Sequence, residues 1–271
     1  MAKTSFPTWF LYRTIPGRMI LSVLVRPGIS RLAGRFLSSR LSKPLIPLYV
    51  KAYDLDLSLC ETTDFKSFND CFTRRYRSEV RPFDPDPSHP VCPCDGLLSA
   101  YPISDGLVLP IKQSAYRIED LVKDPALAEL YRNGTALVFR LEVTNYHRYF
   151  FIDEGQILSI RKIPGLLHTV RPIALRDIPV FTENAREVTV METAHFGKVT
   201  QVEVGAMMVG KIKNYPLSES FHRGDEKGCF LFGGSTVILL FEKDNLRLRP
   251  QLIRETQRGH ETPVIAGERL D

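Results

Sequence analysis

The first 53 residues contain no aspartate or glutamate, although the chain of 271 residues holds 31 acidic side chains. This segment, which we call the basic leader, therefore carries only positive side-chain charge, while the rest of the chain is acidic on balance. Such a separation of charge predicts an anionic surface as the partner of the leader. Its basic residues are Lys3, Arg13, Arg18, Arg26, Arg31, Arg35, Arg40, Lys43 and Lys51.

Long apolar runs are also missing from the sequence. The longest run near the start, Met19 to Val25, has seven residues, whereas a helix needs roughly 20 apolar residues to span a bilayer. No small-residue cleavage site follows the run, so a secretory signal is not expected. We therefore expect a protein that is soluble or bound to a membrane surface, and we place it peripherally on the cytoplasmic face of a membrane.

Cysteine is scarce, with five residues at scattered positions. An odd and scattered set does not predict a disulfide framework, and it fits a reducing cytoplasm. Two of the cysteines form a C-x-C pair, which is too close for the usual structural zinc pair, and no second pair completes four ligands. We therefore expect no metal site. The cysteines are Cys60, Cys71, Cys92, Cys94 and Cys229.

The apolar residues of the basic leader follow a pattern that is typical of membrane contact. The only tryptophan, Trp9, stands among other aromatic residues and near Arg13, a composition found at membrane interfaces. After Pro27 and Gly28, apolar residues recur at helical spacing. This helix either packs on the body or lies on anionic lipid, where each basic side chain adds about 1 kcal/mol of attraction. Its apolar face consists of Ile29, Leu32, Ala33, Phe36, Leu37 and Leu41.

Nucleic acid is not expected as a partner, because the basic residues are not part of a basic-aromatic module of a known type. A group of arginines follows a short predicted helix near Phe68 and is expected on a solvated, basic helix end. The group consists of Arg74, Arg75, Arg77 and Arg81.

The pattern of the chain changes after residue 81. Residues 82–93 hold five prolines, which predicts an extended linker. From Val91 onward, short apolar runs alternate with turn residues, as in β structure, and one helix is predicted over Ile118 to Tyr131. The predicted strands are Leu97–Tyr101, Gly106–Pro110, Thr135–Leu141, Tyr149–Ile152, Gly155–Ile163, Glu187–Thr193, Gly197–Val204, Met208–Lys213, Cys229–Phe232 and Thr236–Phe241.

These patterns together predict an α+β fold. N-terminal amphipathic helices precede a mainly antiparallel, β-rich catalytic body that is like a barrel or a sandwich. The predicted domains are a membrane-associating helical region at 1–81, the body at 82–253 and a polar tail at 254–271. The tail is expected to fray beyond Ile253.

The most informative stretch is Phe230 to Phe241, in which two apolar runs enclose two glycines and two hydroxyl residues. A strand with a glycine bulge or a hairpin with a Gly-Gly turn explains the pattern without chemistry. A second interpretation is nucleophilic. The hydroxyl of Ser235 can attack the unshielded carbonyl of Gly234 if a base takes its proton and donors hold the oxyanion. The glycines also permit the strained backbone that such an attack needs.

This stretch resembles the self-cleavage segment of the phosphatidylserine decarboxylase family. Five other segments are similar to motifs of that family and occur in the same order, so the resemblance extends from about residue 65 to residue 241. These segments are Phe68–Arg75, Asp95-Gly96, Tyr146-His147-Arg148, Glu203–Gly210 and Gly224–Gly228.

The resemblance implies that the chain breaks between Gly234 and Ser235 and that Ser235 becomes a covalent pyruvoyl group, the only cofactor expected. It implies a heterodimer of the two pieces, 1–234 and 235–271, and leaves a homo-oligomer open. The implied reaction converts phosphatidylserine to phosphatidylethanolamine and CO2 through a Schiff base with the pyruvoyl ketone, which acts as an electron sink. An anionic lipid substrate agrees with the charge of the basic leader.

The resemblance also implies roles for individual residues. Asp95 is the acid that orients a base, and His147 protonates the substrate carbon or positions the departing carboxylate. Many family members have a second histidine three residues after the first as the charge-relay residue, but this chain has Phe150 there. Because His168 stands in a segment where the family often has no histidine, we hypothesise that His168 is the base for Ser235. The competing hypothesis gives both roles to His147.

Three alternatives compete with this function. A pyruvoyl-dependent decarboxylase of a soluble amino acid is disfavoured, because such an enzyme would not need the basic, aromatic leader. A cleavage-dead, membrane-binding homologue explains Phe150, but it does not explain why Asp95, His147 and Ser235 are retained. A Ser-His-Asp hydrolase is disfavoured because the sequence contains no G-x-S-x-G motif.

Overall fold

The computed structural model describes most of the chain. Everything stated below about contacts concerns these residues. The described ranges are 6–111, 114–170, 174, 179–206, 212–216, 218–232 and 235–271.

Five helices form the N-terminal region, and local sequence explains where they begin and end. Thr14 caps α2, since its hydroxyl accepts a hydrogen bond from the N–H of Gly17 at 3.0 Å. A proline at the first turn favours the start of α2 and of α3. Asp54 ends α4 in the left-handed conformation, with φ of 49°. The helices are α1 (Phe6–Arg13), α2 (Ile15–Leu24), α3 (Pro27–Leu37), α4 (Leu45–Tyr53) and α5 (Phe68–Phe72).

The apolar face of the basic leader is largely open to solvent. Leu32 on α3 and Leu41 just after it are 68% and 78% exposed. Most of the exposed large apolar side chains among the described residues lie in the leader. In the part of the chain that the structure describes, none of the helices has both the length and the apolar character to cross a membrane. The structure therefore shows an amphipathic helix whose apolar side is mostly not covered by the body.

The body is built on one large antiparallel sheet with the strand order β10-β6-β7-β8-β12-β4-β1-β13. A three-stranded sheet, β5-β11-β9, packs against one face of it, and β2 pairs with β3. The strands are β1 (Gly96–Pro102), β2 (Val108–Ile111), β3 (Ser114–Arg117), β4 (Thr135–Leu141), β5 (Arg148–Phe150), β6 (Gly155–Ile163), β7 (Arg186–Thr193), β8 (Gly197–Val204), β9 (Ile212–Asn214), β10 (Ser220–Phe221), β11 (Glu226–Phe230), β12 (Ser235–Phe241) and β13 (Thr262–Val264).

The large sheet separates two apolar cores, because successive residues of a strand point to opposite faces. On β12, Val237, Leu239 and Phe241 lie in the core that is shared with the three-stranded sheet. Ile238 and Leu240 lie in the other core, which short helices cover. These helices are α6 (Ile118–Val122), α7 (Pro125–Glu129) and α8 (Val180–Glu183). The predicted α+β class and the N-terminal helices are confirmed, and the sheet is open rather than closed into a barrel.

Two predictions about secondary structure are wrong. The helix predicted over Ile118 to Tyr131 is broken, because Lys123 adopts the left-handed conformation and Asp124 caps a new helix. The chain does not fray beyond Ile253. It continues in α9 (Pro250–Gln257) and in β13, which pairs with β1, and Leu270 is fully buried. This segment is mostly polar and its apolar residues are widely spaced, so the sequence did not predict that it packs on the body.

Candidate active site

Ser235 is the first residue of β12, a strand that lies in the interior of the large sheet. It pairs with Leu141 on β4, and the next residue, Thr236, pairs with Val204 on β8. The side chain of Ser235 is fully buried, and its hydroxyl has no hydrogen-bond partner among the described residues. Gly234, the other predicted cleavage residue, lies outside the described residues together with Gly233.

A buried hydroxyl without a partner costs free energy, typically about 1 to 3 kcal/mol. Strand alternation places Ser235 on the same face as Val237, towards the three-stranded sheet. The hydroxyl of Ser235 is therefore held in a water-poor environment between two sheets.

His147 lies directly before β5 and is fully buried. Its carbonyl oxygen accepts a hydrogen bond from the N–H of Phe230 at 2.9 Å. Its ring stacks on Phe72, with 4.1 Å between the ring centroids. Neither ring nitrogen has a hydrogen-bond partner of normal geometry among the described residues.

Burial lowers the pKa of His147 to about 3, and the positive charge of Arg74 acts in the same direction. The backbone groups of Glu142 and Val143 raise this pKa slightly but do not reverse the shift. At neutral pH the imidazole is therefore uncharged. A neutral imidazole can accept a proton, although a pKa of about 3 makes this ring a weak base while it is buried as in this structure.

Helix α5 supports the chain just before the glycines. The side-chain oxygen of Asn69 accepts a hydrogen bond from the N–H of Phe232 at 3.0 Å. The rings of Phe68 and Phe72 lie against Phe232, at centroid distances of 4.9 Å and 5.1 Å. Phe72 thus contacts both Phe232 and His147, and it brings the histidine to the chain that leads to Ser235.

Asp95 binds an arginine in this structure. The guanidinium of Arg81 donates two hydrogen bonds to the two carboxylate oxygens, at 2.8 Å and 2.7 Å. The N–H of Ala266 donates a third, at 3.0 Å. Among the described residues, Asp95 is not hydrogen-bonded to a histidine.

Phe150 occupies the position at which the resemblance would place a second histidine. Its N–H donates to the carbonyl oxygen of Pro93 at 2.9 Å, two residues before Asp95. Its ring lies against Phe83 and Tyr146, at centroid distances of 5.4 Å and 6.3 Å. A side chain at position 150 is thus close in the fold to the segment that carries Asp95, and here an aromatic cluster fills the space.

His168 lies on the other side of β12, near β8. Asn184 joins the two regions, because its side-chain N–H groups donate to the carbonyl oxygens of His168 at 2.8 Å and of Gly205 at 2.7 Å. Gly205 follows Val204, the residue that pairs with Thr236.

The ring of His168 is directed to other groups. Its Nδ1 is 3.5 Å from the hydroxyl of Tyr12, and its Nε2 is 3.9 Å from Glu183. Burial lowers its pKa, and the charge of Glu183 opposes the shift. Among the described residues, His168 forms no hydrogen bond or ring contact with Ser235.

Several residues of this region were missed by sequence reasoning. The predicted solvated helix end is wrong for Arg74, which is only 2% exposed and donates to the carbonyl of Thr144 at 3.1 Å. Arg81 is the partner of Asp95. In the sequence, Asn69 was noted only as part of the segment Phe68–Arg75. No local signal in the sequence reveals these partners, since each contact joins separate segments.

The described residues do not bring together three histidine, cysteine, aspartate or glutamate side chains in a way that could hold a metal ion. All five cysteines are free and buried.

Comparisons with known proteins agree on one family. The family model described as phosphatidylserine decarboxylase matches residues 68–270. The chain is 41% identical to phosphatidylserine decarboxylase proenzyme 2 of Clostridium acetobutylicum, with 96% of this chain and 90% of the relative covered. It is 39% identical to a phosphatidylserine decarboxylase proenzyme of Ruminiclostridium cellulolyticum, covering 96% and 89%. A proenzyme of the same name from Clostridium botulinum is 38% identical, covering 99% and 92%.

Proposed function

The chain belongs to the phosphatidylserine decarboxylase family, and on this premise we propose that it is a proenzyme that cleaves itself before Ser235. The mature protein then removes CO2 from phosphatidylserine and leaves phosphatidylethanolamine. The observation that carries the proposal is the fully buried hydroxyl of Ser235 at the start of β12, which has no hydrogen-bond partner in the part of the chain that the structure describes. The proenzyme names of the relatives support the self-cleavage.

Ser235 is the nucleophile in this proposal, and it acts on the carbonyl of Gly234. The two neighbouring strands fix its backbone, so the hydroxyl loses little further freedom when it attacks. Burial excludes water, which would otherwise compete as a nucleophile. The two glycines before Ser235 leave the carbonyl unshielded.

His147 is the favoured base for the hydroxyl of Ser235, because its ring nitrogens have no hydrogen-bond partner of normal geometry among the described residues and its ring partner Phe72 also contacts Phe232. His168 is the alternative, joined to Gly205 through Asn184. Asp95 holds Arg81 in place, so its role is to position that arginine, whose guanidinium lies 5.1 Å from the centre of the Tyr76 ring.

The pyruvoyl group formed from Ser235 would supply the electron-withdrawing carbonyl that makes the loss of CO2 possible. Ser235 would hold this group at the buried start of β12, with β4 and β8 on either side. Residues of the two packed sheets would keep water away from it. Because His147 is neutral, its part here is to orient the substrate rather than to act as a charged proton donor.

The basic leader would bring the protein to the lipid that carries its substrate. Its exposed apolar side chains and its arginines together match an interfacial helix on an anionic bilayer. The cytoplasmic face of a membrane is such a surface. Phosphatidylserine is itself anionic and would be both substrate and docking surface.

The test is the intact mass of the denatured protein, with Ser235→Ala measured beside it. Two fragments that meet between residues 234 and 235, with a pyruvoyl cap on the second, are expected for the wild type and not for the variant. A single uncut wild-type chain in the presence of lipid would contradict the proposal and favour the cleavage-dead homologue.

The substrate is tested by CO2 release from phosphatidylserine vesicles and from free serine. Release from the lipid, abolished by a carbonyl reagent, is expected. Release from free serine alone would favour a decarboxylase of soluble amino acids. Lipid breakdown that persists with the reagent would instead indicate a hydrolase.

A further inference from the structure

An ion pair is buried between the two packed sheets, on the face of the large sheet to which Ser235 belongs. The ammonium of Lys227 on β11 lies 2.8 Å from a carboxylate oxygen of Glu203 on β8. Both side chains have no exposed surface. The two residues belong to motifs that the resemblance singled out, yet the proposed function gives neither of them a role.

The strand register places one member of this pair, Glu203, near Ser235, and the 2.8 Å contact brings the ammonium of Lys227 to the carboxylate of Glu203. Glu203 is directly opposite Val237 on β12, and Ser235 is two residues before Val237, on the same face. Glu203 and Ser235 are thus diagonal neighbours, for which the separation is about 7 to 8 Å in an antiparallel sheet. Long side chains reach across such a distance.

The ammonium of Lys227 is held from several sides. Besides Glu203, the side-chain oxygen of Asn214 lies 3.3 Å from it, and the ring of Tyr149 lies 5.7 Å from it. Asn214 also accepts a hydrogen bond from Tyr149 at 2.9 Å and donates to Glu187 at 2.8 Å. The ammonium has three N–H donors, and its hydrogen bonds to Glu203 and Asn214 use two of them.

Structural need does not explain the pair. Neighbouring positions of β12 on this face are filled by Val237, Leu239 and Phe241, and an apolar pair would pack there without the cost of removing two charges from water. Burial raises the pKa of Glu203, while Lys227 opposes that shift. The ammonium therefore stabilises the negative charge of the Glu203 carboxylate in this interior.

We propose that Lys227, held in place by Glu203 and Asn214, supplies the positive charge that favours self-cleavage at Ser235. This inference rests on the proposed function. In the step concerned, the oxygen of Ser235 bonds to the carbonyl carbon of the preceding residue, and the bond from that carbon to the nitrogen of residue 235 breaks. The proton leaves the hydroxyl for a base and ends on the freed nitrogen, so the product is an ester and no other reactant is consumed. Negative charge develops on oxygen during the attack, and a nearby buried cation lowers its energy.

The experiment follows the appearance of the two fragments by denatured mass after synthesis in a cell-free reaction. The main variant is the neutral pair Lys227→Met with Glu203→Leu, which removes both charges and leaves neither one unpaired. We expect it to fold with a melting temperature near that of the uncut Ser235→Ala protein but to cleave about tenfold more slowly than the wild type, or slower still. Lys227→Arg retains the charge and is expected to restore most of the rate.

The matched control is an ion pair on the opposite face of the large sheet. Arg140 on β4 is opposite Thr236 and therefore lies on the face away from Ser235, where it binds Glu261 with two hydrogen bonds of 2.9 Å and 2.7 Å. Arg140→Met with Glu261→Leu should cleave at the wild-type rate.

The step that fails in the neutral pair is identified with hydroxylamine, which cleaves an ester. If Lys227 assists ester formation, as proposed, hydroxylamine will not restore cleavage. Restoration to the wild-type extent would place the defect after the ester and would overturn the proposal.

Other outcomes are equally decisive. A neutral pair that cleaves at the wild-type rate overturns this inference but leaves the proposed function in place. A second neutral pair, Lys227→Gln with Glu203→Gln, keeps polar atoms at both positions. If neither neutral pair folds, the ion pair is structural and the inference is wrong. An uncut wild-type chain overturns both the inference and the proposed function.

Discussion

Phe230 donates its backbone N–H to the carbonyl oxygen of His147 at 2.9 Å, so the strand that leads towards Ser235 is fixed to the candidate base at the level of the backbone. The ring of Phe72 adds a second connection, because it stacks on His147 and contacts Phe232. Two separate contacts thus bring His147 to one side of the cleavage segment. Among the described residues, His168 is connected to the end of β8 through Asn184.

The first prediction follows from this difference. His147→Gln should slow self-cleavage by about a hundredfold or more, because the base would be lost, whereas His168→Gln should cleave at nearly the wild-type rate. The measurement is the time course of fragment formation. The reverse pattern would make His168 the base, and two unaffected variants would exclude both histidines.

The second prediction concerns acid stability. The folded protein holds the pKa of His147 at about 3, whereas an unfolded histidine titrates near about 6.5. Between these values the unfolded chain binds a proton that the folded chain does not, so this contribution to stability is complete above about pH 6.5 and is lost as the pH falls towards 3. At pH 5 the loss should be about 2 kcal/mol.

This loss can be measured by urea unfolding of the uncut Ser235→Ala chain at pH 7 and pH 5. The matched protein carries His147→Gln in addition, and its free energy of unfolding should change less between the two pH values. Equal changes in the two proteins would show that His147 does not titrate as expected.

The third prediction is that the two fragments stay together after cleavage. β12 is paired on both sides, by β4 and β8, and β13 pairs with β1. The fragment 235–271 thus contributes a central strand and an edge strand of one sheet. Native mass spectrometry should give a single complex, while denaturation should separate the pieces. Free fragments under native conditions would contradict the prediction.

The fourth prediction concerns the basic leader. Leu32→Glu and Met19→Glu should weaken binding to phosphatidylglycerol vesicles by about tenfold, because both side chains are exposed and apolar. Vesicle sedimentation measures the effect. Leu158→Glu on β6 is the control, since Leu158 is also exposed but lies outside the leader.

Added salt should weaken binding of the wild type, because part of the attraction is electrostatic. If the Leu158 variant loses as much binding as the leader variants, the membrane surface is not confined to the leader. Equal binding of the wild type to neutral phosphatidylcholine vesicles would argue against a role for the arginines.

The sequence predicted those parts of the fold that local patterns encode. Short apolar runs bounded by turn residues marked strands such as Thr135–Leu141 and Gly155–Ile163 with correct bounds. The break at Lys123 was missed because it depends on a left-handed backbone at a residue that usually favours helices. The strand Thr262–Val264 was missed because it is short and its pairing with β1 is a long-range contact.

The site was predictable to a similar degree. Ser235 and His147 could be selected because they stand in recognisable motifs, and the structure brings their segments together. The partners of charged residues could not be predicted. Arg81 and Lys227 look like surface residues in the sequence, and only tertiary packing places them against Asp95 and Glu203.

The position of β12 in the middle of the sheet also determines how the protein can be made. An uncut chain forms the sheet within one molecule, whereas cleaved pieces would have to find each other, so refolding of the mature protein depends on concentration. After cleavage, whether the folded state forms therefore depends on how the protein was made and not on its sequence alone. The uncut chain keeps the covalent connection between the strands of the sheet, but the cleaved product, once unfolded and diluted, has lost it.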